Sequence, residues 1–172
     1  MRVLGIDCGS EYTGYGVVEE GPDHRLLCCA VGAIKLRPRD AMPLKLQHIY
    51  SELSHIIVEH QPETVAIEEV FYALNVKSAL KLGQVRGVAM LAASAAGLEV
   101  AEYSPLSIKS AVVGYGRAEK QQVQEMVKRL LHLPMIPEPS DAADALAIAI
   151  CHIHTASTLK RYKKPKSQEV TS

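Results

Sequence analysis

The stretch PSDAADALAIAI, from Pro139 to Ile150, joins two acids to an almost wholly apolar body. A surface helix carries its apolar residues on one face, whereas the run ALAIAI is apolar on nearly every side. This composition predicts a helix buried inside the domain, with its first turn at the rim of a sheet. Asp141 and Asp144 stand three residues apart, so both carboxylates project from one side of that turn.

The two acids allow two interpretations. Asp141 as N-cap with Asp144 at the third helical position resembles a capping box, and acids in a first turn are favoured by the helix dipole. Alternatively, they are ligands, because an uncompensated buried charge costs several kcal/mol, more than a cap returns. The stretch alone leaves both roles open.

The rest of the chain predicts an α/β domain with a mixed sheet. Five strand-like runs cover residues 2–7, 14–20, 25–36, 64–69 and 98–103, of which the first three are close enough for an antiparallel meander. Helical periodicity over residues 46–57, 77–96 and 118–131 predicts helices on both faces of the sheet. Gly83 and Gly87 share one helix face, which predicts close approach by the sheet or by an identical helix in a dimer.

Composition bounds the class of protein. The 172 residues, 48% hydrophobic with a net charge of zero, predict one domain over residues 1–156 and a basic, disordered tail over residues 157–172. No uncharged apolar run is long enough to span a membrane, and no basic leader precedes the first strand, so we expect a cytoplasmic protein. Neutrality argues against a general polyanion binder but permits a local basic surface.

Two further acids end apolar strands. Asp7 and Glu68 lie at the carboxyl ends of the first and fourth runs, where ligand sites form in open α/β sheets. Glu68 and Glu69 face opposite ways, and spacing does not choose between them. Acids from distant segments repel one another without a cation, and hard oxygen ligands favour Mg²⁺ or Mn²⁺. Two such ions would activate a water and stabilise the leaving oxygen of a phosphodiester.

The order of the motifs resembles the RuvC family of bacterial Holliday-junction resolvases, in the ribonuclease H-like superfamily. The matching segments run from residue 5 to residue 152: GIDCGSEYTGYGVVE, AIEEVF, NVKSALKLGQVRGVA, IKSAVVGYGRAEKQQVQ and DAADALAIAI. The resemblance implies a ribonuclease H-like fold with a mixed five-stranded sheet, and a homodimer whose two active sites nick a four-way DNA junction symmetrically. It also implies work in recombination and repair beside a branch-migration helicase complex.

The resemblance assigns the site residues. Asp7, Glu68 (rather than Glu69), Asp141 and Asp144 would be the catalytic acids and would hold two Mg²⁺ ions per subunit, with Mn²⁺ able to substitute, or would orient the attacking water. Cys8 stands where the family has proline, a change that should leave the acid in place.

The resemblance also suggests DNA contacts. Phe71, the one phenylalanine of the chain, would stack on the opened junction, with Tyr72 assisting. Lys109 and Lys120 match family positions, and a phosphate near Lys120 would offset its unfavourable place in a first helical turn. Leu74 stands where relatives are often basic, which puts one DNA contact in doubt. Further candidates for phosphate contact are Lys81, Arg86 and Arg117.

Three other functions compete with this one. GIDCGS with TGYGV resembles the first phosphate loop of the actin–sugar kinase superfamily, although such proteins need two lobes and the D-A-A-D segment is unexplained there. A ribonuclease H-like enzyme that cuts RNA is the second alternative. The third is a DNA-binding protein without catalysis, against which the four acids argue. His152 and His154 fit helix-end residues better than metal ligands.

Overall fold

The computed structural model describes residues 1–69 and 75–163 and contains one mixed five-stranded sheet. The strands are β1 (Arg2–Cys8), β2 (Tyr12–Glu20), β3 (Leu26–Lys35), β4 (Thr64–Glu68) and β5 (Glu99–Tyr103). Their order is β3-β2-β1-β4-β5, with β1 to β3 antiparallel and β4 and β5 parallel to β1. The predicted mixed sheet and its antiparallel meander are confirmed.

Helices cover both faces of the sheet, as predicted. They are α1 (Met42–His60), α2 (Val76–Ala95), α3 (Pro105–Val113), α4 (Lys120–Leu130) and α5 (Ser140–Lys163). Alternate side chains of a strand face opposite ways, and on β1 Val3 packs in the core beneath α5 whereas Leu4 and Ile6 pack in the core beneath α1 and α2. Two hydrophobic cores therefore flank the sheet, one on each face.

Glycines let the backbone of α5 rest directly on the two central strands. A Cβ added at Gly5 of β1 would lie 2.0 Å from the carbonyl oxygen of Ala145, and one at Gly14 of β2 would lie 2.0 Å from that of Asp141. Neither distance leaves room for a side chain. Gly14 pairs with Asp7 across the strands, so this contact also fixes the first turn of α5 beside the end of β1.

The apolar body of α5 is core. Residues 140–159 are long and apolar enough to cross a membrane, but 56% of the apolar window is buried inside the domain. The helix continues to Lys163, and the Ser157 hydroxyl donates to both Glu20 carboxylate oxygens at 3.2 Å. The boundary predicted at residue 157 therefore lies inside α5, and the rest of the predicted tail, 164–172, lies outside the described residues.

Two expectations about the other elements differ from the structure. A Cβ at Gly83 or Gly87 would meet nothing within 4 Å, so the sheet is not the close partner of these glycines. The fifth strand, expected to be buried, is an edge strand in which Glu99 and Glu102 are exposed. The run LEVAEY gave no sign of this, because an edge is set by strand order.

Replacing Gly5 by alanine should destabilise the domain. The new methyl group would meet the backbone of α5, and overpacking of this kind costs about 1–3 kcal/mol. Gly16→Ala should cost less, because its Cβ would meet the Leu146 side chain at 2.6 Å and the nearest backbone atom of α5 at 3.0 Å, against 2.0 Å at Gly5. Urea denaturation measures both free energies of unfolding, and a Gly5→Ala variant as stable as wild type would contradict the close contact.

Candidate active site

The four predicted acids meet at one rim of the sheet. Asp7 lies near the end of β1, and Glu68 is the last residue of the neighbouring parallel strand β4. Asp141 and Asp144 come from the first two turns of α5, which packs over this rim. The charges of Asp144, Glu68 and Asp141 all act on Asp7. Residues that are more than sixty positions apart in sequence thus share one electrostatic environment.

A pocket of about 210 Å³ opens beside the acids. Its polar wall is formed by Glu68 and Asp144 together with the two lysines predicted to contact DNA, Lys109 of α3 and Lys120 of α4. Its apolar wall comes from α3, α4 and α5 through Pro105, Ile108, Val123, Ala147 and Ile148. The pocket therefore places acids and cations side by side, an arrangement suited to a phosphodiester and its counter-ions.

Burial, together with the nearby carboxylates, raises the pKa values of two of the acids. Burial raises the pKa of Asp7 to about 7, and the charges of Asp144, Glu68 and Asp141 add to that effect. Burial and the charge of Asp144 also raise the pKa of Glu68, against the opposing charges of Lys109 and Lys120. Such perturbed carboxyl groups in a cleft are typical of functional sites.

Lys120 supplies a counter-charge. Its Nζ lies 2.6 Å from Asp144 Oδ2 and donates to Ser140 Oγ at 3.1 Å. Burial, the largest influence, lowers the pKa of Lys120, but the hydrogen bond and charge of Asp144, with the charges of Asp7 and Asp141, raise it overall. Lys120 is the first residue of α4, as predicted, so this ion pair offsets its unfavourable place at the positive end of the helix dipole.

The donor set suits a hard divalent cation. Four carboxylates offer oxygen ligands of the kind that Mg²⁺ prefers, and burial together with the neighbouring negative charges raises the pKa of Asp7. Within residues 1–69 and 75–163, no three His, Cys, Asp or Glu side chains enclose a point that would hold a metal ion as they stand. Asp144 is paired with Lys120 in this arrangement.

The capping interpretation of Asp141 is wrong. Helix α5 begins at Ser140, so Asp141 lies inside its first turn and Asp144 one turn further on. The Ala142 N–H donates to the Pro139 carbonyl at 3.0 Å, which closes this turn through the backbone.

The other predicted contacts are dispersed. Lys81 is exposed on α2, and Arg117 lines a separate surface depression with Tyr115 and Glu119. Arg86 donates to the Glu68 carbonyl and pairs with Glu102, so its guanidinium is already engaged. Phe71, Tyr72 and Leu74 lie outside the described residues.

The two histidines of α5 join elements of the fold. His152 Nδ1 lies 2.9 Å from the Tyr103 hydroxyl at the end of β5, and burial lowers the pKa of this imidazole. His154 Nδ1 lies 2.9 Å from the Ala111 carbonyl oxygen in α3, for which it is the donor. Both therefore fit the structural role expected of them rather than a metal centre.

Sequence reasoning missed Ser140 and Glu102. Ser140 bonds Lys120 from twenty positions away, and Glu102 holds Arg86 across two elements. Neither stands in a motif with a chemical meaning of its own. Only the order of strands and the packing of helices brings Ser140 beside Lys120, and Glu102 beside Arg86 on the opposite face of the sheet.

The fold and the acids at its rim define a ribonuclease H-like nuclease. The family model described as "Crossover junction endodeoxyribonuclease RuvC" matches residues 3–152. The chain belongs to the RuvC family, whose members are endonucleases and therefore hydrolases. The resemblance drawn from the motifs is confirmed, and the kinase-like alternative is excluded.

Individual relatives agree with this assignment. The chain is 65% identical to RuvC of Koribacter versatilis. The alignment extends over 161 residues and covers 94% of this chain and 97% of that protein. A solved structure of T. thermophilus RuvC in complex with Holliday junction substrate is 32% identical, with a TM-score of 0.84 over 92% of this chain and 96% of that one. The yeast mitochondrial Holliday junction resolvase Ydc2 shares the fold, at 16% identity and a TM-score of 0.69 over 94% of this chain and 83% of that one.

In the metal-free protein, the raised pKa of Asp7 predicts that stability falls as the pH rises. The folded state holds the Asp7 proton up to about pH 7, whereas the ordinary pKa is 3.8. The folded protein therefore binds more protons between these values, and the free energy of unfolding decreases through that window. Asp7→Asn cannot lose this proton, so its stability relative to wild type should increase from about pH 4 to about pH 7 and level off at higher pH.

Thermal unfolding with a chelator present measures this difference. Glu11→Gln, at an exposed acid outside the pocket, provides the control and should track wild type at each pH. A constant offset between Asp7→Asn and wild type over the whole pH range would contradict the raised pKa.

Proposed function

We propose that this protein is a Mg²⁺-dependent endonuclease that resolves four-way DNA junctions by paired, symmetric nicking, in recombination and repair within the cytoplasm. The observation that carries the proposal is the meeting of Asp7, Glu68, Asp141 and Asp144 beside Lys109 and Lys120. The similar T. thermophilus protein is described in complex with a Holliday junction substrate, which supports four-way DNA as the substrate. Partnership with a branch-migration helicase complex stays a prediction of the resemblance.

The four acids would hold the metal. Asp7, Glu68, Asp141 and Asp144 are the proposed ligands of two Mg²⁺ ions per subunit, with Mn²⁺ able to substitute. When bound, such ions activate a water and stabilise the leaving oxygen of a phosphodiester. With that charge present, the Asp7 carboxylate is ionised at neutral pH rather than half protonated.

The two lysines would hold the scissile phosphate. Lys120 is tied to Asp144 in this structure, and once that acid has another counter-charge the ammonium becomes available to a phosphate oxygen. Lys109 shares the pocket from α3 and would approach the same group from another side. Two cations on a phosphate position the strand without reading its sequence.

Outside the pocket, the exposed Lys81 and Arg117 are proposed to contact the phosphates of the junction arms. Phe71 and Tyr72 follow Glu68 closely in sequence, which supports a place beside the reacting strand, where they would stack on unpaired bases. Stacking tolerates any base, because each presents a π-face. Recognition in this proposal depends on shape and charge.

Paired nicking requires two active sites, and helix α2 offers a face for a second copy. Along α2, exposed apolar or glycine positions recur at intervals of three or four residues: Val76, Leu80, Gly83, Gly87 and Leu91. Val76, Leu80 and Leu91 are 76%, 65% and 59% exposed, and the two glycines meet nothing within 4 Å. An identical helix could therefore approach this stripe closely, which supports the homodimer.

The metal-site proposal predicts that Asp141→Asn abolishes cleavage while the fold survives. Asparagine keeps the shape of aspartate but loses the charged oxygen, and the rate should fall at least about 100-fold, the scale of removing one stabiliser of developing charge. Asp7→Asn should behave alike. Cleavage of labelled four-way junctions under single-turnover conditions with Mg²⁺ gives the rates, and circular dichroism checks the fold.

Comparison of substrates tests the function itself. Wild type should cut the four-way junction in preference to linear duplex and to an RNA–DNA hybrid of the same sequence. Cleavage of the hybrid with the junction left intact would favour the RNA-cutting alternative. Junction binding without any cleavage by wild type would favour a DNA-binding protein without catalysis.

The dimer proposal predicts that Leu80→Arg yields monomers. A charge on the exposed stripe of α2 would be buried without a partner in the dimer, which is strongly unfavourable. Val58→Arg, at an apolar residue of α1 that is 70% exposed, is the matched control and should leave the assembly unchanged. Light scattering after size-exclusion chromatography measures the mass, and a dimeric Leu80→Arg variant would place the interface elsewhere.

A further inference from the structure

We propose that Arg86 is a positioning residue that holds the end of β4, and with it Glu68, in place for metal binding. This inference rests on the proposed function, since it assigns Glu68 to the metal site. It replaces the phosphate contact that the sequence suggested for Arg86.

The contacts of Arg86 all point into the protein. Its Nε donates to the backbone carbonyl of Glu68 at 3.2 Å, and its Nη2 pairs with the carboxylate of Glu102 on β5. The side chain is only 20% exposed. Arg86 thus joins helix α2 to two neighbouring strands at the point where both end.

Arg86 and the acid pocket lie on opposite faces of the sheet. On β4, Val65 and Ile67 pack in the core beneath α1 and α2, whereas Ala66 packs in the core beneath α5. By strand alternation Glu68 points to the α5 face, where it lines the pocket. Arg86 comes from α2 on the other face of the sheet. It therefore bonds the backbone carbonyl of Glu68 and not the carboxylate that enters the pocket.

The end of β4 carries the Glu68 carboxylate into the pocket. Burial and the charge of Asp144 raise the pKa of this group, and the charges of Lys109 and Lys120 lower it. Glu68 is the last residue of β4, and the Glu69 N–H donates to the Tyr103 carbonyl at 2.8 Å. The hydrogen bond from Arg86 is therefore a second restraint on Glu68, the last residue of β4, beside the hydrogen bond of the Glu69 N–H to β5.

Only arginine suits this contact. Its planar guanidinium presents several N–H donors in a fixed fork, so one side chain can bond a carbonyl and a carboxylate at once. Lysine offers a compact point charge on a flexible stem and would satisfy one of the two. Loss of such outer restraints around a metal ligand lowers metal affinity by about 10- to 100-fold.

The test compares Arg86→Gln, Arg86→Lys and Glu102→Gln in the full-length protein. Isothermal titration calorimetry of each protein with Mn²⁺, in the absence of DNA, measures the affinity for the metal. Arg86→Gln should bind Mn²⁺ at least about 10-fold more weakly than wild type. Glu102→Gln should also weaken Mn²⁺ binding, but by less. Arg86→Lys should have an Mn²⁺ affinity between those of Arg86→Gln and wild type. Combining Arg86→Gln with Glu102→Gln should add little, because the two residues act as one unit.

Junction binding without metal separates positioning from phosphate contact. Positioning predicts that Arg86→Gln keeps the Kd and its salt dependence, whereas a phosphate contact predicts weaker binding and a salt slope reduced by about 1. Lys81→Gln, an exposed cation on the same helix, is the comparison that should weaken junction binding while leaving Mn²⁺ affinity unchanged. Glu102→Gln should not alter junction binding.

Two results would overturn the inference. One is unchanged Mn²⁺ affinity in both Arg86→Gln and Glu102→Gln; the other is weakened junction binding by Arg86→Gln with metal affinity intact. Should Arg86→Gln fail to fold, Glu102→Gln keeps the arginine and carries the metal titration alone. Failure of the proposed function is distinguishable, since it would show as wild type that binds no Mn²⁺ at all or cuts no junction.

Discussion

The close contact between the backbone of α5 and the two central strands determines the rest of the structure. Gly5 and Gly14 leave no space between strand and helix, so α5 lies against the sheet along its apolar body and buries alanine as well as leucine and isoleucine. The same contact sets the height of the first turn. Asp141 and Asp144 therefore stand beside Asp7 and Glu68 because a hydrophobic core holds them there, and not because the acids attract one another.

Packing thus imposes an arrangement that electrostatics opposes. The rim gathers four carboxylates in a partly buried place, the pKa of Asp7 rises to about 7, and Lys120 is drawn to Asp144 as a counter-charge. Groups held in an unfavourable environment are common where a ligand supplies what is missing. The free energy gained by burying the apolar body of α5 offsets the cost of holding the four carboxylates close together in the absence of a bound cation. The apolar body of α5 stabilises the fold, and the first two turns of the same helix carry two of the proposed metal ligands.

The sequence predicted the elements and the acids, but not the contacts between distant segments. The apolar run after Asp144 was enough to predict a buried helix. The cation site was inferred from the two strand-end acids together with Asp141 and Asp144, and it stays a prediction. The glycines show where such reasoning stops. Gly83 and Gly87 suggested a close approach to the sheet or to an identical helix, and the sheet is not their close partner. Gly5 and Gly14, where helix and sheet do meet closely, looked like ordinary strand residues. Periodicity reports which face a residue occupies, and only the tertiary structure reports what lies opposite.

Arg86 illustrates the same limit and shows how the two faces of the sheet are joined. A basic residue on a helix of a DNA-acting protein invites a phosphate contact, yet the sheet separates Arg86 from the pocket. The α5 face carries the chemistry, and α2 on the opposite face carries the stripe proposed to meet a second copy. Arg86 belongs to α2 and bonds the residue whose side chain enters the pocket. A displacement of α2 by a partner would therefore reach the end of β4 through the hydrogen bond from Arg86 to the Glu68 carbonyl, as well as through the core that α2 shares with Val65 and Ile67.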